Sequence, residues 1–191
     1  MAQFDVRQRK ISAKIVYYGA SLSGKTTNLL NIHDRLPPDL KGAMRSIATE
    51  TERTLFFDFV PIEEVEVGGW SIRFHLYSVP GQDVYVRTRR AILSGADGIV
   101  FVADANVAEL DASRRSLAEL HEHLTHYQRT VANTPVVFQY NKMDLANALT
   151  PERLDAELNP GTWPAHSAIA LHGNGVAETL TTISKLVAHT L

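Results

Sequence analysis

The chain contains no cysteine, so neither a disulfide framework nor thiol catalysis is available to it. That suits a reducing compartment, and a cytoplasmic location is the expectation. It also lacks an excess of charge of either sign. Its 19 lysines and arginines stand against 21 aspartates and glutamates, a formal net charge of −2. A nucleic-acid partner, which calls for a basic face, is therefore not expected. No apolar run approaches the length that spans a bilayer. The start, Met1-Ala2-Gln3-Phe4-Asp5, has no signal-peptide stretch and no glycine for myristoylation, and the end, Ala188-His189-Thr190-Leu191, has no cysteine for prenylation. No direct membrane anchor is expected, so any membrane association would come through partners. Repeats, linkers and low-complexity tracts are absent as well, and 191 residues predict one domain over residues 1–191.

What is present alternates. Apolar, β-branched runs predict strands at Ala13–Tyr18, Leu55–Pro61, Ser71–Tyr77, Gly98–Ala103 and Val136–Tyr140, with a weaker one at His166–Leu171. Helical periodicity predicts Lys25–Arg35, Asp83–Ser94, Leu110–Arg129, Pro151–Glu157 and Gly175–His189. Such alternation implies an α/β architecture, with a six-stranded, mostly parallel sheet and helices on both faces. The short polar link Glu63–Gly69 suggests a hairpin, hence one antiparallel edge strand. Pro37–Thr54 has weak periodicity and reads as a long functional loop.

Gly19-Ala20-Ser21-Leu22-Ser23-Gly24-Lys25-Thr26 matches G-x-x-x-x-G-K-[ST] between the first strand and the first helix. A glycine-rich loop there turns backbone N–H groups inward on a positive helix end and cradles a polyphosphate. The predicted nucleotide contacts run from Gly19 through Thr27. Lys25 reaches the terminal phosphates, and the Thr26 hydroxyl ligates Mg²⁺.

Asn141-Lys142-Met143-Asp144 follows the strand ending at Tyr140, on the carboxyl side of the same sheet, where α/β folds bind ligands. The Asp144 carboxylate can accept from N1–H and the exocyclic amine of guanine. Adenine offers neither donor, so its rejection could reach roughly 10⁴-fold. Asn141 can tie this loop to the phosphate loop, and the Lys142 stem can lie on the purine face. GTP and GDP are thus the expected ligands.

Ser78-Val79-Pro80-Gly81-Gln82 follows a third strand end. Ordinary turn punctuation would account for Pro-Gly. Ras-like GTPases carry D-x-x-G-Q at such a place, where the glycine N–H meets the γ-phosphate and the glutamine orients the attacking water. Gly81 and Gln82 match; Ser78 replaces the aspartate.

Together these runs resemble the MglA family of bacterial Ras-like GTPases. Lys14-Ile15-Val16-Tyr17-Tyr18-Gly19, Ala48-Thr49-Glu50, Arg53 to Phe59, Arg73 to Tyr77 and Gly98 to Asp104 extend the resemblance over nearly the whole chain. A serine or threonine at position 78 is itself a mark of that family. The resemblance implies a small GTPase fold, GTP hydrolysis, control of gliding motility or of cell-pole identity, and pairing with a roadblock-fold activator dimer, MglB. It implies recruitment to a cell pole by partners. It also gives Arg53 the role of an internal arginine finger, worth roughly 10³ to 10⁵ in rate. Thr54 becomes the switch threonine that ligates Mg²⁺ and senses the γ-phosphate.

The chain departs from that pattern in three places. Ser21 stands where relatives usually have glycine and could crowd Gln82 or Arg53. The guanine-backing loop is degenerate: its register falls on Ile169-Ala170-Leu171, with Ala170 donating a backbone N–H, or on Ser167-Ala168-Ile169. Asp83-Val84 is less apolar than the partner-binding segment of relatives. Two function classes follow, a GTPase switch and a nucleotide-binding module with negligible turnover; a metabolic kinase would need an arginine-rich lid, and none is visible. His121, His123 and His126 match no zinc spacing and predict a solvated helix face. Arg87, Arg89 and Arg90 predict a solvated face or a docking surface for an acidic partner.

Overall fold

The computed structural model describes residues 2–48, 53–59, 66–67 and 69–191. Its strands are β1 (Gln3–Asp5), β2 (Lys10–Tyr18), β3 (Arg45–Ala48), β4 (Arg53–Phe59), β5 (Glu66–Val67), β6 (Trp70–Ser78), β7 (Gly98–Asp104), β8 (Val136–Asn141) and β9 (Ala165–Ser167). Its α-helices are α1 (Lys25–Arg35), α2 (Val86–Leu93), α3 (Leu110–His126), α4 (Pro151–Leu158) and α5 (Val176–Ala188).

The sheet runs β3-β4-β6-β2-β7-β8-β9, with β1 added to β2 and β5 to β6. The pairs from β6 through β9 are parallel. β4 is antiparallel to β6, pairing Phe56 with Tyr77. The six expected strands are there, with the antiparallel one at their margin; β3, β1 and β5 are short additions. β3 arises inside the segment read as a loop. Its four residues, Arg-Ser-Ile-Ala, carry no alternation, and they are a strand because they pair with β4. Residues 60, 61, 63–65 and 68 of the expected hairpin lie outside the described residues.

β7 and β8 are buried along their whole length, and β2 from Ile15 onward. Continuous burial explains why these strands read as unbroken apolar runs. The two-residue period of β2 divides the core. Ala13, Ile15 and Tyr17 pack beneath α1 and α5 with Leu29, Ile32 and Ile183. Val16 and Tyr18 face the other side with Leu93, Leu120, Leu124 and Leu154. Each such side chain, fully buried, contributes on the order of 2 kcal/mol.

The helix boundaries have local causes. α4 begins at Thr150, whose hydroxyl accepts from the Arg153 N–H at 3.4 Å, with Pro151 as its first residue. α3 stops at His126, short of the expected Arg129, and Gln128 takes φ 57° just beyond it. The helix expected from Asp83 opens as a 3₁₀ turn, Asp83–Tyr85, before α2. Among the described residues, no helix is long and apolar enough to cross a membrane.

The histidine expectation needs correction. His123 is buried, with Nδ1 3.1 Å from the Tyr18 hydroxyl. It sits beside Leu120 and Leu124, so it belongs to the apolar face of α3. Of the three, His121 and His126 are exposed.

Two expectations follow for stability. The Tyr17 hydroxyl is buried and has no hydrogen-bond partner among the described residues. Tyr17→Phe should therefore raise stability by about 1 kcal/mol, read as a higher denaturant midpoint at unchanged slope. Burial, against the pull of Glu119, holds the His123 imidazole below its usual range. The unfolded chain then binds the extra proton, so this stability is present above about pH 6.5 and lost below it. The denaturant midpoint should fall between about pH 7.5 and 5.5, and His123→Gln should flatten that fall.

Candidate nucleotide-binding site

β2 ends at Tyr18 and the chain turns at once through Gly19, whose φ is 145°. A Cβ there would lie 2.2 Å from the Val102 carbonyl oxygen, so only glycine fits against β7. Gly24 caps α1 with φ 104°, and its missing Cβ leaves room for Asn141 Nδ2, 2.1 Å from where the Cβ would be. Leu22, between them, points out to solvent.

α1 starts without a side-chain cap and with no acidic residue in its first turn. Its first N–H groups are thus left for an anion. Lys25 is only 5% exposed, and its ammonium lies 2.5 Å from the Ala20 carbonyl. Lys25, Thr26, Thr27 and Gly81 share the walls of a cleft of about 250 Å³. A buried ammonium, an uncapped helix start and a threonine hydroxyl beside it form a donor set that fits a magnesium polyphosphate.

Asn141 joins the loops. Its Nδ2 donates to the Ser23 carbonyl at 2.8 Å, and its Oδ1 accepts from the Ala170 N–H at 2.8 Å. It is itself buried. Ala168 has both backbone groups committed elsewhere: its N–H to Tyr140 and its carbonyl to Met143. The turn beside Asn141 therefore carries Ala170, the first of the two registers. Leu171, next in line, is exposed.

Lys142 adopts φ 65°, and its ammonium lies 2.5 Å from Asp104, a buried carboxylate whose other oxygen accepts from the Asn106 N–H at 2.9 Å. Asp104 thus lays the Lys142 stem along the loop. Asp144 is exposed at its outer edge. Beneath the phosphate loop, Asn28 donates to the Gly24 carbonyl at 3.0 Å and to Gln139 Oε1 at 2.7 Å. Gln139 donates to Thr179 at 3.0 Å, which locks α1, β8 and α5 together.

Ser78 is buried at the end of β6, and the Val79 N–H donates to the Tyr17 carbonyl at 3.1 Å. Gly81 packs on the phosphate loop: a Cβ there would lie 2.4 Å from Ser21 Cα. Gln82 follows and shares a cleft of about 660 Å³ with Ser21. Arg53 and Thr54 open β4 opposite Ala48 and Ile47, while residues 49–52 before them lie outside the described residues. Val84 is exposed.

Within the basic cluster Arg89 is the second correction, whereas Arg87 is exposed and Arg90 half-buried. Arg89 is buried and forms a bidentate pair with Glu119 on α3, at 2.7 Å through both Nε and Nη2. Its place four residues before Leu93, on the inward face of α2, was the available signal. Burial alone would raise the Glu119 carboxyl; hydrogen bonds from Arg89 and Tyr18 outweigh it and hold the group below the usual carboxylate range.

The sequence matches the model of the ADP-ribosylation factor family over residues 2–187. Mutual gliding-motility protein MglA of Myxococcus xanthus (strain DK1622) is 45% identical over 187 residues, covering 98% of this chain and 96% of that protein. ADP-ribosylation factor-like protein 6 of Caenorhabditis elegans is 28% identical over 185 residues, covering 92% of this chain and 86% of that protein. Small COPII coat GTPase SAR1 of Giardia intestinalis is 29% identical over 146 residues, covering 76% and 65%. The chain belongs to the Arf/Ras-like small GTPases, enzymes that hydrolyse GTP, and among them to the MglA family.

Proposed function

We propose that this chain is a GTP-driven switch that hydrolyses GTP to GDP and phosphate and controls cell polarity or motility by engaging partners in one nucleotide state. The observation that carries this reading is the Asn141 amide, which ties the phosphate loop, the Asp144 loop and the Ala170 turn around one ligand path. The gliding-motility relative supports the cellular role.

The residues take the following parts. Gly19 through Thr27 hold the phosphates, with Lys25 neutralising charge. Asp144 reads guanine, Ala170 backs it, and the Asp104-tethered stem of Lys142 lies on the base. Thr26 and Thr54 hold Mg²⁺, which when bound supplies positive charge to the terminal phosphates. Gln82 orients the attacking water, and Arg53 offsets the charge that develops on the transferred group. Thr54 and the Gly81 N–H both depend on the γ-phosphate, so residues 37–60 and 78–94 change between nucleotide states. β4 slides in register and carries Arg53 inward. Turnover is slow until a roadblock-fold activator dimer, like MglB, steadies these loops without inserting an arginine of its own. The protein works as a single cytoplasmic domain and reaches a cell pole through its partners.

The close packing of Gly81 on Ser21 favours one other reading, a GTP-binding module with negligible turnover. A side chain at position 21 takes space beside the terminal phosphate.

Four variants test the assignments. Asp144→Asn should weaken GTP binding by about 10²- to 10⁴-fold, since two charge-assisted bonds worth about 1.5–3 kcal/mol each are lost, and should favour xanthine nucleotides. Comparable affinity of the wild type for ATP and GTP would sink the base assignment. Arg53→Ala and Gln82→Ala should each remove the stimulated rate, a drop on the order of 10³-fold or more, while GTP affinity stays within a few-fold. Ser21→Gly should raise phosphate release. If the wild type with an activator hydrolyses no faster than the Arg53→Ala variant, the non-hydrolysing module is the better account.

A further inference from the structure

Arg89 is nearly fully buried, and four hydrogen bonds surround its guanidinium. Nε and Nη2 donate to the two oxygens of Glu119, each at 2.7 Å. Nη1 donates to the Pro80 carbonyl at 3.1 Å and to the Gln82 carbonyl. One planar fork thus holds α3 on one side and, on the other, the two carbonyls that flank Gly81.

Glu119 is anchored in turn. Its Oε1 accepts from the Tyr18 hydroxyl at 2.9 Å, and His123 Nε2 lies 3.5 Å away. Tyr18 is the last residue before the phosphate loop. A continuous chain of contacts therefore leads from the root of that loop, through Glu119 and Arg89, to the backbone of Pro80 and Gln82.

The consequence for Gly81 is geometric. A trans peptide points its carbonyl and its N–H in opposite directions. Fixing the Pro80 carbonyl on Arg89 turns the Gly81 N–H away from Arg89, while Gly81 itself rests on Ser21. Fixing the Gln82 carbonyl sets the direction in which the Gln82 side chain leaves the backbone. Ser21, Gly81, Gln82, Arg89 and Glu119 all line one cleft of about 660 Å³.

We propose that Arg89 and Glu119 are positioning residues for GTP hydrolysis, bracing the Pro80–Gln82 backbone against α3 so that Gln82 addresses the attacking water. The proposal rests on Gln82 acting as the water-orienting residue. Lysine cannot replace the fork, because it lacks the paired, planar donors that span Glu119 and two carbonyls at once. Glutamine at position 119 keeps shape and volume but loses the charge that balances the buried guanidinium.

The test is a double-mutant cycle on the full chain. Single-turnover GTP hydrolysis, GTP affinity, thermal unfolding and hydrogen exchange over residues 81–85 are measured for Arg89→Lys, Glu119→Gln, Gln82→Ala and the two doubles. Arg89→Lys and Glu119→Gln should each lower the hydrolysis rate by about 10- to 100-fold, with GTP affinity within a few-fold and faster exchange over residues 81–85. In the Gln82→Ala background neither should slow hydrolysis further, because both act through Gln82. Glu119→Gln keeps the question answerable if Arg89→Lys fails to fold. The brace is overturned if Gln82→Ala slows hydrolysis but the Arg89 and Glu119 variants keep the wild-type rate, or if their losses multiply in the doubles. A wild-type rate in Gln82→Ala itself removes the catalytic role of Gln82, and the brace with it.

Discussion

Asn141 sends its amide nitrogen and its amide oxygen to different loops, and the site depends on both. The nitrogen holds the Ser23 carbonyl, and the oxygen holds the Ala170 N–H. Three loops that lie far apart in sequence thereby share one buried side chain. Such a group is costly to leave unsatisfied, which makes it a firm register pin. The glycine at position 24 exists for this contact, since any Cβ there would overlap the Asn141 amide. The phosphate loop is therefore shaped twice, by its own glycines and by a residue more than half the chain away.

The sheet beneath supplies rigidity and little else. β7 and β8 are buried throughout and bring Asp104 and Asn141 to the carboxyl edge side by side, paired in register. Asp104 takes the Lys142 ammonium, so the Asn141–Asp144 loop is pinned through its first two residues. Gln139, one of the few polar residues on a central strand, is satisfied by Asn28 and Thr179 and couples two helices under the loop. These polar ties sit in a medium of low dielectric, where a completed network fixes one arrangement and an incomplete one is penalised.

The side that carries Gln82 is built on a different principle. α2 is only eight residues long and begins through a 3₁₀ turn, so its own backbone does little to hold it. It is attached to α3 by Leu93, which packs with Leu120 and Leu124, and by the Arg89–Glu119 ion pair, which also grips loop carbonyls. The Asn141 side is tied by neutral amide bonds, whereas the Gln82 side is gripped by a charge-assisted fork. That contrast separates the half of the site around Asn141 from the half that carries Gln82.

Some of this was legible in the sequence because it is local. The strand and helix runs, the phosphate loop from Gly19 to Thr26, and the Asn141–Asp144 loop are written in contiguous residues. Hydrophobic period, glycine placement and helix starts are short-range physics. Family membership was legible for the same reason. What the sequence could not settle depended on pairing across the fold. β3 is a strand only because β4 lies beside it. Ala170, and not Ala168, stands at Asn141 because Tyr140 and Met143 have used the backbone of Ala168. Arg89 and His123 look like solvated charge in a linear reading, and both are buried. Whether a polar side chain meets water or a partner depends on what the rest of the chain places opposite it, here Glu119 and Tyr18. Tertiary structure alone decides that, because the desolvation of a charge and the bond that compensates it come from residues distant in sequence.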